Sequence, residues 1–84
     1  MSAISGALSF ATVDSWFARV DELASGERID LAGVTHCDSA GAALLLELQR
    51  RARQRGQRVE MVNAPPALRE LLSFFGVDAV VGLV

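Results

Sequence analysis

The residues with chemical potential gather in one short stretch, His36-Cys37-Asp38-Ser39, followed by an arginine cluster at Arg50, Arg51, Arg53, Arg55 and Arg58. A catalytic Cys–His pair needs mutual geometry and an orienting third group. His36 lies four residues past the end of the second strand and beside Cys37, and adjacent residues of an extended chain point to opposite faces. Cys37 reads as a small buried residue. One His and one Cys supply too few nitrogen and sulfur ligands for a metal set. No glycine-rich phosphate loop is present, neither the P-loop nor the dinucleotide pattern. No nucleophile–base pair or carboxylate pair emerges, so the sequence points away from an enzyme and implies no cofactor.

Asp38-Ser39 admits two readings. Asp and Ser are preferred caps for the free N–H groups of a helix start. A phosphate on Ser39 would also meet the positive end of a helix dipole and add nearly two negative charges. The arginines fall at a helix C-terminus, where positive charge suits the dipole and a solvated face is expected. They could also meet an acidic partner or an anionic surface.

The elements that position these residues alternate between strand and helix. Residues 3–10 alternate apolar and small, with Ile4, Leu8 and Phe10 expected on the buried side. Thr12 is placed to cap a helix ending at Gly26, with Val13, Trp16, Phe17, Val20, Leu23 and Ala24 as its inner stripe. Residues 28–32 form a second strand. Asp38-Ser39 opens a second helix that runs to about Arg55, and Gly56 ends it. Residues 58–62 form a third strand. Pro65-Pro66 starts a third helix with Leu68, Leu71, Leu72 and Phe75 inward, closed by Gly76. The tail 77–84 is apolar, a last helical turn or an edge segment. The order implies a mostly parallel sheet in a small single α/β domain, residues 1–84, with helices on one face or both.

Composition fits this. The chain has 84 residues, 51% hydrophobic and 21% charged, with net charge −2, which does not mark a dedicated nucleic-acid binder. Residues 1–48 hold seven acids against two arginines, a net −5; residues 49–84 hold six arginines against three acids, a net +3. A single cysteine excludes an internal disulfide. No signal peptide and no run of roughly 20 apolar residues is seen, so a cytoplasmic location is expected.

The second helix carries the odd feature. Setting the core direction at Leu48, with about 100° per residue, Gly41, Leu44, Leu45 and Ala52 fall within roughly 60° of it. The opposite side collects Ser39, Ala42, Ala43, Leu46, Arg50 and Arg53. A solvated face usually carries Lys, Glu or Gln, yet the first two turns here offer small or apolar side chains. Exposed alanines favour helix, and one outward Leu is ordinary. The same pattern would serve a docking surface that lets another chain approach closely. Both readings stand at this point.

The Ile-Asp-Leu strand, the Gly-Val-Thr-His-Cys exit, and Asp38-Ser39-Ala40-Gly41 opening an Ala/Leu-rich helix resemble the STAS domain family. Gly6 to Phe10, Val59 to Asn63, Leu68 to Leu72 and Phe75-Gly76-Val77 fit the same pattern. Two branches of that family bear on function. Anti-sigma factor antagonists carry Asp-Ser-Ser-Gly and are phosphorylated on the serine before the glycine, where this chain has Ala40. The MlaB branch, the STAS subunit of an ABC-type phospholipid transporter, has a hydroxyl residue followed by Ala-Gly, and Ser39 matches its functional threonine position. That resemblance implies binding to a cytoplasmic ATPase subunit (MlaF-like) through Asp38, Ser39, Ala40, Gly41, Ala42, Ala43, Leu46 and Arg50. His36 and Arg53 are lesser candidates. It implies membrane association only through the complex. Family members also begin with a strand ahead of residues 3–10. Either this chain lacks it, leaving a sheet edge open to dimerisation, or the start is misassigned. Related sequences often have Leu at the position of Ala42.

Overall fold

The computed structural model describes residues 2–84. In chain order it holds β1 (Ser2–Leu8), α1 (Val13–Phe17), α2 (Val20–Ala24), β2 (Arg28–Cys37), α3 (Ser39–Gln54), β3 (Glu60–Val62), α4 (Pro66–Phe74) and α5 (Asp78–Val81). The three strands pair in parallel in the order β1-β2-β3.

The sheet is covered on one side. Ile4, Leu8, Ile29, Leu31, Val34 and Met61 are buried, while Ala3, Ser5, Ala32 and Thr35 are exposed. Parallel sheets are usually covered on both faces and read as continuous apolar runs. Here the strands alternate because one face stays open.

The ladder between β1 and β2 is irregular in a way that sets the site. Ser2 to Leu8 pairs with Ile29 to Cys37, with register shifts between Ala3 and Ser5 and between Gly6 and Ala7. β2 therefore spends nine residues against seven. Each extra residue flips the side-chain phase of the strand beyond it. Burial accordingly passes from Ile29 and Leu31 to Val34, and the second shift turns Cys37 inward and leaves His36 exposed.

Several sequence expectations are corrected. β1 ends at Leu8, and Phe10 lies beyond it in a turn closed by Thr12 N–H on the Ser9 carbonyl, with its side chain 85% exposed. Thr12 does not cap a helix through its side chain. Its hydroxyl donates to the Ala7 carbonyl at 2.6 Å and accepts from Ser9 N–H at 3.0 Å, closing the strand exit. The expected helix 12–26 is two short helices broken at Arg19. Val13, Trp16, Phe17 and Val20 have weak helix propensity, so packing against α3 decides the backbone path. Phe75 follows the end of α4 and is 42% exposed rather than inward.

The third strand is shorter than 58–62 for a specific reason. Val59 is fully buried, and its backbone bonds go to a side chain: Gln49 Oε1 accepts Val59 N–H at 2.9 Å, and Gln49 Nε2 donates to the Val59 carbonyl at 2.6 Å. Gln49 Nε2 also donates to the Val81 carbonyl at 3.1 Å. The tail fulfils both expectations at once, with α5 followed by a parallel bridge from Leu83 to Met61.

Candidate functional site

α3 starts where the sequence places it. Asp38 is its N-cap, with Oδ1 accepting from Ala40 N–H at 2.9 Å and Gly41 N–H at 3.2 Å. Its other oxygen accepts from Phe10 N–H at 3.0 Å, and its own N–H donates to the Leu8 carbonyl at 3.1 Å. Asp38 thus ties the helix start to the end of β1 and to the turn beyond it. The Phe10 N–H holds its carboxyl below the usual value of 3.8, helped by the Gly41 and Ala40 amides and the nearby His36.

A depressed carboxylate stabilises the fold above its unfolded pKa, and that contribution is lost as pH falls through the folded value. Wild type should therefore lose more stability than Asp38→Asn between about pH 5 and about pH 3. At neutral pH the Asn variant should melt a few degrees lower, because its amide cannot accept from both Phe10 and the helix. Parallel thermal melts across that range check this; identical pH profiles would remove the role assigned to the second carboxylate oxygen.

Gly41 is a close-approach residue. A Cβ there would run into the Leu8 carbonyl oxygen and lie 2.7 Å from Cys37 Sγ and 2.8 Å from Leu8 Cβ. The first turn of α3 therefore crosses the end of β1 at backbone contact. Cys37 is half-buried beneath it, and its thiol donates to the Asp38 carbonyl at 3.4 Å. Burial, and secondarily the Asp38 charge, push that thiol up to about 11. It stays protonated and is a poor nucleophile at neutral pH. His36 and Cys37 both line a small cleft of about 160 Å³ beside the start of α4. Among the described residues no group of three or more His, Cys, Asp or Glu could hold a metal ion, and no helix is long and apolar enough to cross a membrane.

The outward side of α3 forms an apolar cleft lined by Ser39, Ala42, Ala43, Leu46, Phe75 and Val77. Ser39 and Ala43 are exposed and Leu46 is half-buried. The helix wheel puts Ala42 on the open face, yet it is only 4% exposed, because it forms the floor of this cleft. Ala40 is half-buried against the core. Arg50 is exposed but engaged: its Nε and Nη2 each lie 2.7 Å from a Glu47 carboxylate oxygen. Arg50 first, then Arg51, hold the Glu47 carboxyl down at about 2. Arg53 donates to the Val80 carbonyl at 3.3 Å, and among the described residues it pairs with no carboxylate.

Sequence reasoning misses the far wall of the cleft. It assigns Phe75 to the core and Val77 to an unspecified tail. Phe74 carries a signal, since it falls well outside the stripe of Leu68, Leu71 and Leu72 and so brings an aromatic ring to the surface next to Phe75. Phe74 is 85% exposed and packs edge-on to Phe75, with ring centroids 5.9 Å apart. With Phe10 they leave three exposed aromatic rings on a chain of this size, more than a bare solvated surface needs.

A one-sided parallel sheet, with a helix start seated on a strand end and an apolar cleft beside it, defines a small α/β domain. The chain belongs to the STAS domain family: the family model described as "Mlab, STAS domain" matches residues 3–84. Among solved structures the chain is similar to the anti-sigma factor antagonist SpoIIAA in its unphosphorylated form. The TM-score is 0.74 at 21% sequence identity, covering 98% of this chain and 74% of that one. At that identity the likeness is one of fold. No curated protein matches the chain.

Proposed function

We propose that this chain is a non-catalytic, protein-binding regulatory subunit that docks on the cytoplasmic ATPase of an ABC-type phospholipid transporter maintaining outer-membrane lipid asymmetry. It would sit at the cytoplasmic face of the inner membrane through that complex. The observation that carries the reading is the apolar cleft on α3, with Ser39 at its rim and Phe75 and Val77 as its far wall. The match to the family model described as "Mlab, STAS domain" supports an ATPase of this kind as the partner. The protonated, half-buried thiol of Cys37 fits a packing role better than a nucleophile's. A second contact, with another copy of this chain, would use the outer edge of β1, which pairs only with β2 among the described residues. The two register shifts in that ladder work against flat edge-to-edge pairing.

The second reading is an anti-sigma factor antagonist in a serine-phosphorylation partner switch, favoured by the fold likeness to SpoIIAA. Against it stands Ala40 at the position where that branch carries its phosphorylated serine. A tagged pull-down from native lysate separates the two. Recovery of an ABC ATPase with its permease supports the transporter reading; recovery of a serine-kinase-like anti-sigma factor without transporter subunits overturns it. Ser39→Asp and Ala43→Glu change exposed positions and should leave the melting temperature nearly unchanged. Each should cut ATPase recovery at least about tenfold, as burying an unpaired carboxylate at an interface core does. Wild-type binding by Ser39→Asp would show that the cleft is not the contact.

A further inference from the structure

Residues 77–84 are held to the rest of the domain mainly by polar ties. Val81 and Gly82 are buried, Val77, Asp78 and Leu83 are half-buried, and Ala79, Val80 and Val84 are exposed. Val81 is the fully buried apolar anchor. Arg53 donates to the Val80 carbonyl, Gln49 to that of Val81 and Arg69 to that of Val84. Met61 N–H donates to the Gly82 carbonyl at 2.9 Å, and Val84 N–H to the Met61 carbonyl at 3.0 Å. A segment with few buried apolar side chains, held by hydrogen bonds that water can replace, sits at the low-stability end of a fold.

The body of the domain keeps its own bonds without this segment. Gln49 retains both of its bonds to Val59. β3 retains its pairing with β2, and Glu60 N–H retains the Glu27 carbonyl. The freed Met61 groups lie on the outer edge of β3, where water takes the segment's place. Opening therefore strands no polar group in a dry core and costs chiefly the exposure of Val81 and its neighbours. The pivot is Gly76, with φ +73° and no packing partner within 4 Å for a Cβ. Phe75 stays with α4 through its N–H on the Leu71 carbonyl, whereas Val77 lies beyond the pivot.

We propose that residues 77–84 form a strap that opens as one unit while the rest of the domain stays folded. Docked, the strap supplies Val77 to the wall of the cleft on α3. Open, it leaves Phe75 alone on that side and bares the outer edge of β3. The cleft is thus conditional. Anything that binds against Val77 favours the docked strap, and docking favours that binding by the same factor. This holds whichever partner the cleft takes.

Native-state amide exchange of the full chain, read by NMR and corrected for intrinsic rates, tests this. Glu60 and Met61 are neighbours in one strand, but Glu60 donates to Glu27 and Met61 to the strap. Met61, Gly82, Leu83 and Val84 should exchange together, at least about tenfold faster than Glu60 and Leu48. Gly82→Ala should accelerate those four at least about fivefold further and leave Glu60 unchanged. A side chain at φ +82° strains the docked form alone. Met61 exchanging as slowly as Glu60 and Leu48 overturns the inference, since the strap then opens only with the whole domain. Widely different rates among the four overturn it too, because the segment then frays residue by residue. So does Gly82→Ala accelerating Glu60 and Leu48 along with the strap. Should that variant not fold, the wild-type comparison of Met61 with Glu60 decides by itself.

Discussion

Gly41→Ala should destabilise the protein by about 2 kcal/mol, lowering its melting temperature by about 8–16 °C. In an isolated helix the same change stabilises by up to about 1 kcal/mol, because glycine is a poor helix former. The sign reverses here because the new methyl group meets the Leu8 carbonyl oxygen and lies 2.8 Å from Leu8 Cβ. A flexible side chain could move aside, but a strand backbone cannot. The helix must lift off the end of β1, which stretches the Asp38 bonds to Leu8 and Phe10. Since those bonds place Ser39 and the cleft, partner binding should weaken together with stability. Gly41→Val adds branching at the same point and should be worse. A Gly41→Ala variant as stable as wild type would mean that α3 is free to shift and that the contact does not hold the site.

Gln49 is the second sensitive position, with an expected loss of about 3–5 kcal/mol on replacement by alanine. It is 1% exposed, and its amide satisfies both backbone groups of Val59 and the Val81 carbonyl. Truncation leaves three groups without partners and opens a cavity beside Val59, Val81 and Gly82. An 84-residue domain has only about 4–12 kcal/mol to lose. Gln49→Leu separates the two contributions, since it keeps most of the volume and none of the bonds. If the bonds dominate, Leu and Ala variants lose similar amounts in chemical denaturation, and amide exchange accelerates first in residues 77–84. If Gln49→Leu matches wild type, packing alone holds the tail. Gly82 backs this arrangement: its φ is +82°, and a Cβ there would lie 2.7 Å from the Val59 carbonyl. The latch also bears on the cleft, because Val77 in its wall is continuous with the α5 segment that Gln49 holds.

Local chemistry is enough to place much of this. The Asp38 cap, the inner stripe of α3 and the strand–helix order follow from periodicity and capping, which depend on neighbours a few residues apart. Gly41 is readable as an inward residue, since it shares a face with Leu44, Leu45 and Leu48. The STAS family assignment is legible for the same reason, because Asp-Ser-Ala-Gly before an apolar helix is a local pattern.

The features that the sequence leaves open depend on residues distant along the chain. Ala42 looks outward on a helix wheel, yet Phe75 and Val77, more than thirty residues later, fold over it. Phe10 continues the alternation of β1 but lies past its end, because Asp38 draws the Phe10 amide into a turn. Residues 58–59 read as strand, but a glutamine from α3 takes the hydrogen bonds of Val59. β2 needs two additional residues in its ladder before Cys37 can face inward, and register is set between strands rather than within one. Periodicity fixes which side of an element is apolar. Only packing fixes which of those apolar atoms remain uncovered, and here the uncovered ones form the cleft.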